Sequence, residues 1–194
     1  NGKGASFAVL NARLVLGQYA IQRGWYQAAL DLYVPMLRDL EQLDETAAAE
    51  GSQLQNIFSS RLPGLYLIVA ELCTKLDRYP EARRYFNRAA DFPAVKPRAQ
   101  RGLVGALIRA GRPDEARVLL GKLVAEGSLD ETVVEYYRQL YPGNRWTAEL
   151  LRAYLAQPEN PDAGKRLAEE LIRAKEWSSA GRALETLAPM APGD

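Results

Sequence analysis

No histidine occurs anywhere in the 194 residues, and cysteine occurs once, at Cys73. The first absence removes Ser-His-Asp and Cys-His catalysis and every histidine-bearing zinc motif. The second excludes an internal disulfide and a four-thiolate metal site, and it leaves the redox compartment open. Charge of one sign is also missing: 25 Lys and Arg stand against 24 Asp and Glu, a formal +1. That balance gives no global pull toward nucleic acid or an anionic membrane. No apolar run approaches the roughly 18 residues of a membrane span, and no signal peptide is visible. The glycines form neither G-x-x-x-x-G-K-[ST] nor G-x-G-x-x-G, so no phosphate loop is present. Paired carboxylates could in principle serve glycoside cleavage, but each Glu sits in an Ala/Leu/Arg-rich helical pattern or an acidic stretch. The residues therefore predict no enzyme, no cofactor and no metal.

What is present is a spacing. Tyr26-x-x-Ala29-x-x-x-Tyr33, Tyr79-x-x-Ala82-x-x-x-Phe86 and Pro113-x-x-Ala116-x-x-x-Leu120 are versions of one pattern. The second and third lie about 34 residues apart, a helical-hairpin repeat period. Hydrophobic residues at 47% with 25% charged are ordinary folded composition. Stacked hairpins that cannot bury their apolar faces alone form an array in which each contacts its neighbours. Such an array can grow without the size limit of one core, so the reading is a single segment over 1–194.

The residues resemble the tetratricopeptide repeat family, with its W-x2-L-G-x2-Y, A-x3-F and closing Pro pattern. In the first unit Leu16-Gly17 fills the L-G pair, Gly24 the turn, and Tyr26, Ala29 and Tyr33 the second helix. In the second, Tyr66 takes the Trp place and Val69-Ala70 the L-G pair, followed by Tyr79, Ala82, Phe86, Ala89 and Pro93. The third has Leu103-Val104, Leu107, Gly111, Ala116, Leu120 and Leu123. Two weaker units follow, the fourth turning at Pro142-Gly143-Asn144 and the fifth carrying Ala168, Trp177, Ala180 and Leu184. The resemblance implies an all-α, right-handed α-solenoid of about five hairpins, at 6–40, 62–93, 97–126, 130–157 and 162–188. An insertion of roughly 19 residues falls at 41–61, beside Pro35, which should kink the helix it interrupts. The first part of the insertion is acidic, from Asp39, Glu41, Asp44, Glu45 and Glu50. It reads either as longer helices flanking a solvated loop or as a partner-binding insertion.

In this family the first helix of each hairpin lines the groove. That register presents Asn11, Leu14, Gln18 and Gln22, then Leu67, Glu71 and Lys75, then Arg98, Arg101 and Arg109. It continues with Glu135 and Gln139, then Lys165, Glu169 and Arg173. The basic third unit is either a solvated helix face or a site for an acidic partner, recognised by forked Arg hydrogen bonds. Nucleic acid fits poorly, because repeats that read single bases need polar readers in every unit, and Leu14 and Leu67 interrupt them. Members that clamp a chaperone's C-terminal carboxylate use Lys, Asn and Arg at places held here by Leu14, Gln18, Ile68, Arg98 and Gly102. Only Arg98 fits, which argues against chaperone tails. Cys73 falls at an inward position and reads as a buried small hydrophobe rather than a reactive thiol. Trp25 and Trp146 precede second helices, as packing residues or as aromatic contacts for a partner.

The expected function is a protein–protein interaction scaffold, with a protein or peptide partner and an acidic one in view. Repeats of this Ala/Leu/Arg-rich style look bacterial, and such modules commonly scaffold envelope assembly or polysaccharide secretion. The alternatives are a peptide-sensing regulatory module and the helical platform of a cell-wall or polysaccharide enzyme whose catalytic domain lies outside the segment. The start at Asn1 rather than Met reads as a piece cut from a longer protein, whose cut repeat ends would self-associate weakly. The compartment stays open between bacterial cytoplasm and periplasm. Circular dichroism should show a strongly helical spectrum, and a substantial strand contribution would overturn the repeat reading.

Overall fold

The computed structural model describes residues 7–47, 61–158 and 160–188. Among these residues every regular element is an α-helix and no strand occurs. The chain is an all-α helical-repeat protein. Ten helices, joined pairwise by short turns, make up the described residues: α1 (Phe7–Gln22) and α2 (Tyr26–Ala47), α3 (Leu62–Lys75) and α4 (Tyr79–Ala90), α5 (Lys96–Arg109) and α6 (Pro113–Ala125), α7 (Glu131–Leu140) and α8 (Arg145–Leu155), α9 (Pro161–Arg173) and α10 (Trp177–Glu185). They group into two compact units, Asn1–Ala106 and Leu107–Asp194. In the first unit α1 packs on α2, α2 on α3 and α3 on α4. In the second, α6 packs on α7 and α8, while α9 and α10 pack on each other and on α8.

One turn geometry recurs. Gly24, Asp77, Gly111 and Lys175 each follow a first helix and each has a left-handed φ, between 58° and 74°. After each of them the next residue donates its N–H to the carbonyl five residues back: Trp25 to Ala20 at 2.8 Å, Arg78 to Cys73 at 2.8 Å, Arg112 to Leu107 at 2.9 Å and Glu176 to Leu171 at 2.9 Å. This is the Schellman closure, which satisfies carbonyls left orphaned at a helix end. Asp77 and Gly111 are one repeat period apart. Second helices then begin on proline at α6 and at the second position of α4, where a missing N–H costs nothing. The α7 and α9 starts are held by side chains instead, with Asp130 accepting from Val133 N at 3.0 Å and Asn160 from Asp162 N at 3.0 Å.

A small residue sits five places after each of these turns. Ala29, Ala82, Ala116 and Ala180 are all buried, as close approach of the two helices of a hairpin requires. Tyr33, Phe86 and Leu120, four places further on, are buried as well, whereas Leu184 at the equivalent place is 47% exposed. The fourth hairpin departs from the rule. Its turn falls at Gly143, the alanine five places on, Ala148, is exposed, and Leu150 is buried instead.

Aromatic residues of second helices also press on glycines. A Cβ at Gly17 would collide with the Tyr33 ring, one at Gly102 with Phe86, and one at Gly164 with Tyr154. The first contact lies within a hairpin, and Tyr33 Oη there donates to the Leu14 carbonyl at 3.2 Å. The other two join a second helix to the helix that follows, a use of glycine that the L-G pair did not indicate.

The stretch expected as an insertion is partly helix. α2 continues through Pro35 to Ala47, with the Asp31 carbonyl losing only the donor that proline lacks. Two of the acidic side chains there have internal partners: Asp39 pairs with Arg13 at 2.7 Å, and Glu41 accepts from Tyr66 Oη at 2.5 Å. Glu50 and the rest of residues 48–60 lie outside the described residues. Gly102→Ala should destabilise the protein by roughly 1–3 kcal/mol, because the Phe86 ring must move. Lys175→Gly should stabilise it by about 0.5–1 kcal/mol, since glycine removes the left-handed strain at some entropic cost. Thermal melts of both variants would check the opposite signs.

Candidate partner-binding surface

In the first unit the groove residues named from the sequence fall on α1, α3 and α5. Gln18, Gln22, Glu71, Lys75 and Arg98 are exposed, while Asn11 and Arg101 are half-buried. Two links tie them to other helices. Arg98 pairs with Glu71 at 2.9 Å, joining α5 to α3, and Arg61 donates to Asn11 Oδ1 at 3.3 Å. The Arg98–Glu71 side chains are 62% and 48% exposed, so the pair contributes only about 0.2–1 kcal/mol. It does cancel one of the positive charges on which the basic-face expectation rested. Leu67 corrects the register: it is 2% exposed and belongs to the core, not the groove. Leu14 is half-buried against the same core.

In the second unit a cavity of about 450 Å³ opens between α7 and α9, the first helices of their hairpins. On α9 its wall is the stripe Arg166, Glu169, Glu170 and Arg173, one helical face by spacing. Glu131, Val134 and Arg138 of α7 and the preceding Leu129 and Asp130 form the other wall. The charged groups hold one another. Glu170, only 17% exposed, accepts from Arg138 at 3.1 Å and from Arg173 at 2.5 Å. Arg166 donates to the Leu129 carbonyl at 3.3 Å. The walls therefore carry four carboxylates and three guanidinium groups, which makes this cavity slightly acidic rather than basic.

Of the residues named from the sequence, Glu169 and Arg173 line this cavity. Lys165 is exposed beside it, and Glu135 and Gln139 are exposed on α7, bonded to each other at 3.3 Å. Arg109 is exposed at the end of α5. Arg138, Arg166 and Glu170 were not named, although the 166/169/170/173 spacing could have marked the α9 residues as one face.

Residues 74–134, from the end of α3 into α7, match the tetratricopeptide repeat family. These residues belong to that family. No curated protein matches the chain. Tetratricopeptide repeats are in general protein–protein interaction scaffolds and not catalysts. Among the described residues no group of His, Cys, Asp and Glu could hold a metal ion, and no helix is long and apolar enough to cross a membrane.

The repeat register also explains several single residues. Gly102, one of the chaperone-clamp places, lies under the Phe86 ring and has no room for a side chain. Trp146 is buried, with the Arg138 guanidinium 4.9 Å from its ring centre. Trp25 is 57% exposed and touches Tyr19 edge-on at 6.1 Å, so packing explains Trp146 but not Trp25. Cys73 is buried, and burial, with Glu81 adding to it, pushes its thiol up to about 11. At pH 8 only about a thousandth of such a thiol is thiolate. A thiol-directed reagent should leave native Cys73 unmodified at pH 8 and label it fully in denaturant. Because the native thiol is raised above its unfolded value, its stabilising contribution is complete below about pH 8.5 and is lost as pH climbs beyond it. Rapid labelling of the folded protein would overturn this.

Proposed function

We propose that this repeat segment holds a partner polypeptide against the first helices of its hairpins, as part of one tetratricopeptide-like array. The α7–α9 cavity carries the reading: a first-helix surface, lined by charged groups fixed in mutual ion pairs, is open to a partner. An acidic partner segment is proposed for the α5 face, where Arg98, Arg101 and Arg109 share one side by helical spacing. In the α7–α9 cavity the balanced walls favour a segment of mixed charge. Weak self-association through the end hairpins is part of the proposal. Trp177 and Leu184 on α10, and Val15, Leu16 and Tyr19 on α1, are exposed apolar side chains that support it.

A scaffold role in bacterial envelope assembly or polysaccharide secretion rests on the style of the repeats alone. Peptide sensing, or a platform beside a cell-wall or polysaccharide enzyme, would use the same surface.

Two double variants test the reading, Arg101→Glu with Arg109→Glu and Glu169→Ala with Arg173→Ala. Each should keep its helical spectrum and lose captured proteins that the wild type retains, as read by quantitative mass spectrometry. Wild-type capture that depends on Arg101 and Arg109 should itself fall as salt is raised, since exposed charges are screened. Unchanged capture by both variants would overturn the groove.

A further inference from the structure

The first unit contains a second recess, walled by two second helices that the groove does not use. Four residues of α2 at helical spacing, Val34, Leu37, Arg38 and Glu41, form one wall. Arg84, Tyr85 and Arg88 of α4 form the other, and Tyr66 of α3 closes it between them. Tyr66 lies five residues before Glu71 and nine before Lys75, which places it roughly 140° and 180° around α3 from those groove residues. The two surfaces therefore face different ways on the same helix.

The chemistry of this recess is specific. Its volume is about 240 Å³, below the roughly 300–1,000 Å³ of small-molecule pockets. That suits one or two side chains of a bound polypeptide. Leu37 and Tyr66 are buried while Val34 and Tyr85 are half-buried, and the Tyr66 and Tyr85 rings lie 6.5 Å apart at 32°. Together they give an apolar and aromatic floor. Three guanidinium groups stand around it against one carboxylate. That carboxylate, Glu41, is engaged by the Tyr66 hydroxyl at 2.5 Å. Arg84 is folded onto Tyr85, donating to its hydroxyl at 3.0 Å. Arg38 and Arg88 have no ion pair or side-chain hydrogen bond among the described residues. They face a recess whose walls screen them less than bulk water does, and a guanidinium fork matches a carboxylate with two parallel bonds.

We propose that this recess is a second partner-binding site, which takes a carboxylate side chain flanked by an apolar or aromatic one from an acidic polypeptide. The carboxylate sits between Arg38 and Arg88, and the apolar neighbour lies on Val34, Leu37 and Tyr85. The site stands independently of the groove reading, because no groove residue contributes to it.

The test titrates the 194-residue chain with the peptide acetyl-Glu-Leu-Glu-Phe-Glu-amide, following the arginine Nε–H signals by NMR. Its glutamine counterpart and inorganic phosphate are run in parallel. The acidic peptide should shift the Arg38, Arg84 and Arg88 signals. Arg38→Gln with Arg88→Gln, two exposed side chains whose loss leaves no partner stranded, should weaken it about tenfold or more. Arg98→Ala should leave the shifts unchanged. Equal binding of the glutamine peptide would overturn the carboxylate requirement, and phosphate that binds while the peptide does not would overturn the ligand class. No shift at millimolar peptide, or a loss through Arg98→Ala alone, would remove the site while leaving the groove reading intact.

Discussion

The contact on which the hairpins depend is the close approach of two antiparallel helices at a single alanine. Ala29, Ala82, Ala116 and Ala180 each sit five residues beyond a left-handed turn residue, and all are buried. The turn and the alanine work together. A left-handed residue reverses the chain in the fewest steps, and a short reversal leaves the helices no choice but to run close. A larger side chain at the contact would prise them apart. The aromatic or leucine one turn further along then becomes a core residue. Where glycine carries the left-handed φ the geometry is free of strain, and at Asp77 and Lys175 the surrounding closure holds an L-residue there at a cost.

The fourth hairpin shows what happens when that contact is changed. Its turn lies at Gly143, the alanine five places on, Ala148, is exposed, and α8 packs through larger groups, Trp146, Leu150, Leu151 and Tyr154, all buried. Tyr154 then presses on Gly164 of the next helix, much as Phe86 presses on Gly102. In both cases a glycine in the following first helix leaves room for the ring, so bulk at one helix surface is matched by its absence at the neighbour.

Charge is organised differently in the two units. Around the α7–α9 cavity, Arg138, Glu170 and Arg173 form a chain of pairs that fixes long side chains at the cavity wall. Around the α2–α4 recess, Arg38 and Arg88 have no such partners among the described residues. A paired guanidinium shapes a surface, whereas an unpaired one beside an apolar floor is available for recognition. The near-balanced total charge of +1 conceals this contrast, because a sum over residues carries no information on which charges meet.

The sequence by itself determined the helical class, the hairpin turns and most of the small-residue contacts. All of these are set by spacing along one or two adjacent helices, and Ala82 and Gly111 could be named from a period and a turn rule. Gly17 was legible for the same reason. Gly102 and Gly164 were not, because the aromatic that confines each belongs to the preceding helix of another hairpin. Leu67 was misplaced because a one-residue difference in register turns a side chain by about 100° around a helix, from groove to core. Only the tertiary structure decided that Asp39 and Glu41 face Arg13 and Tyr66 instead of solvent. It alone brought Arg38 of α2 and Arg88 of α4 to one recess, since distances between helices 50 residues apart depend on how hairpins stack, and no local spacing encodes them.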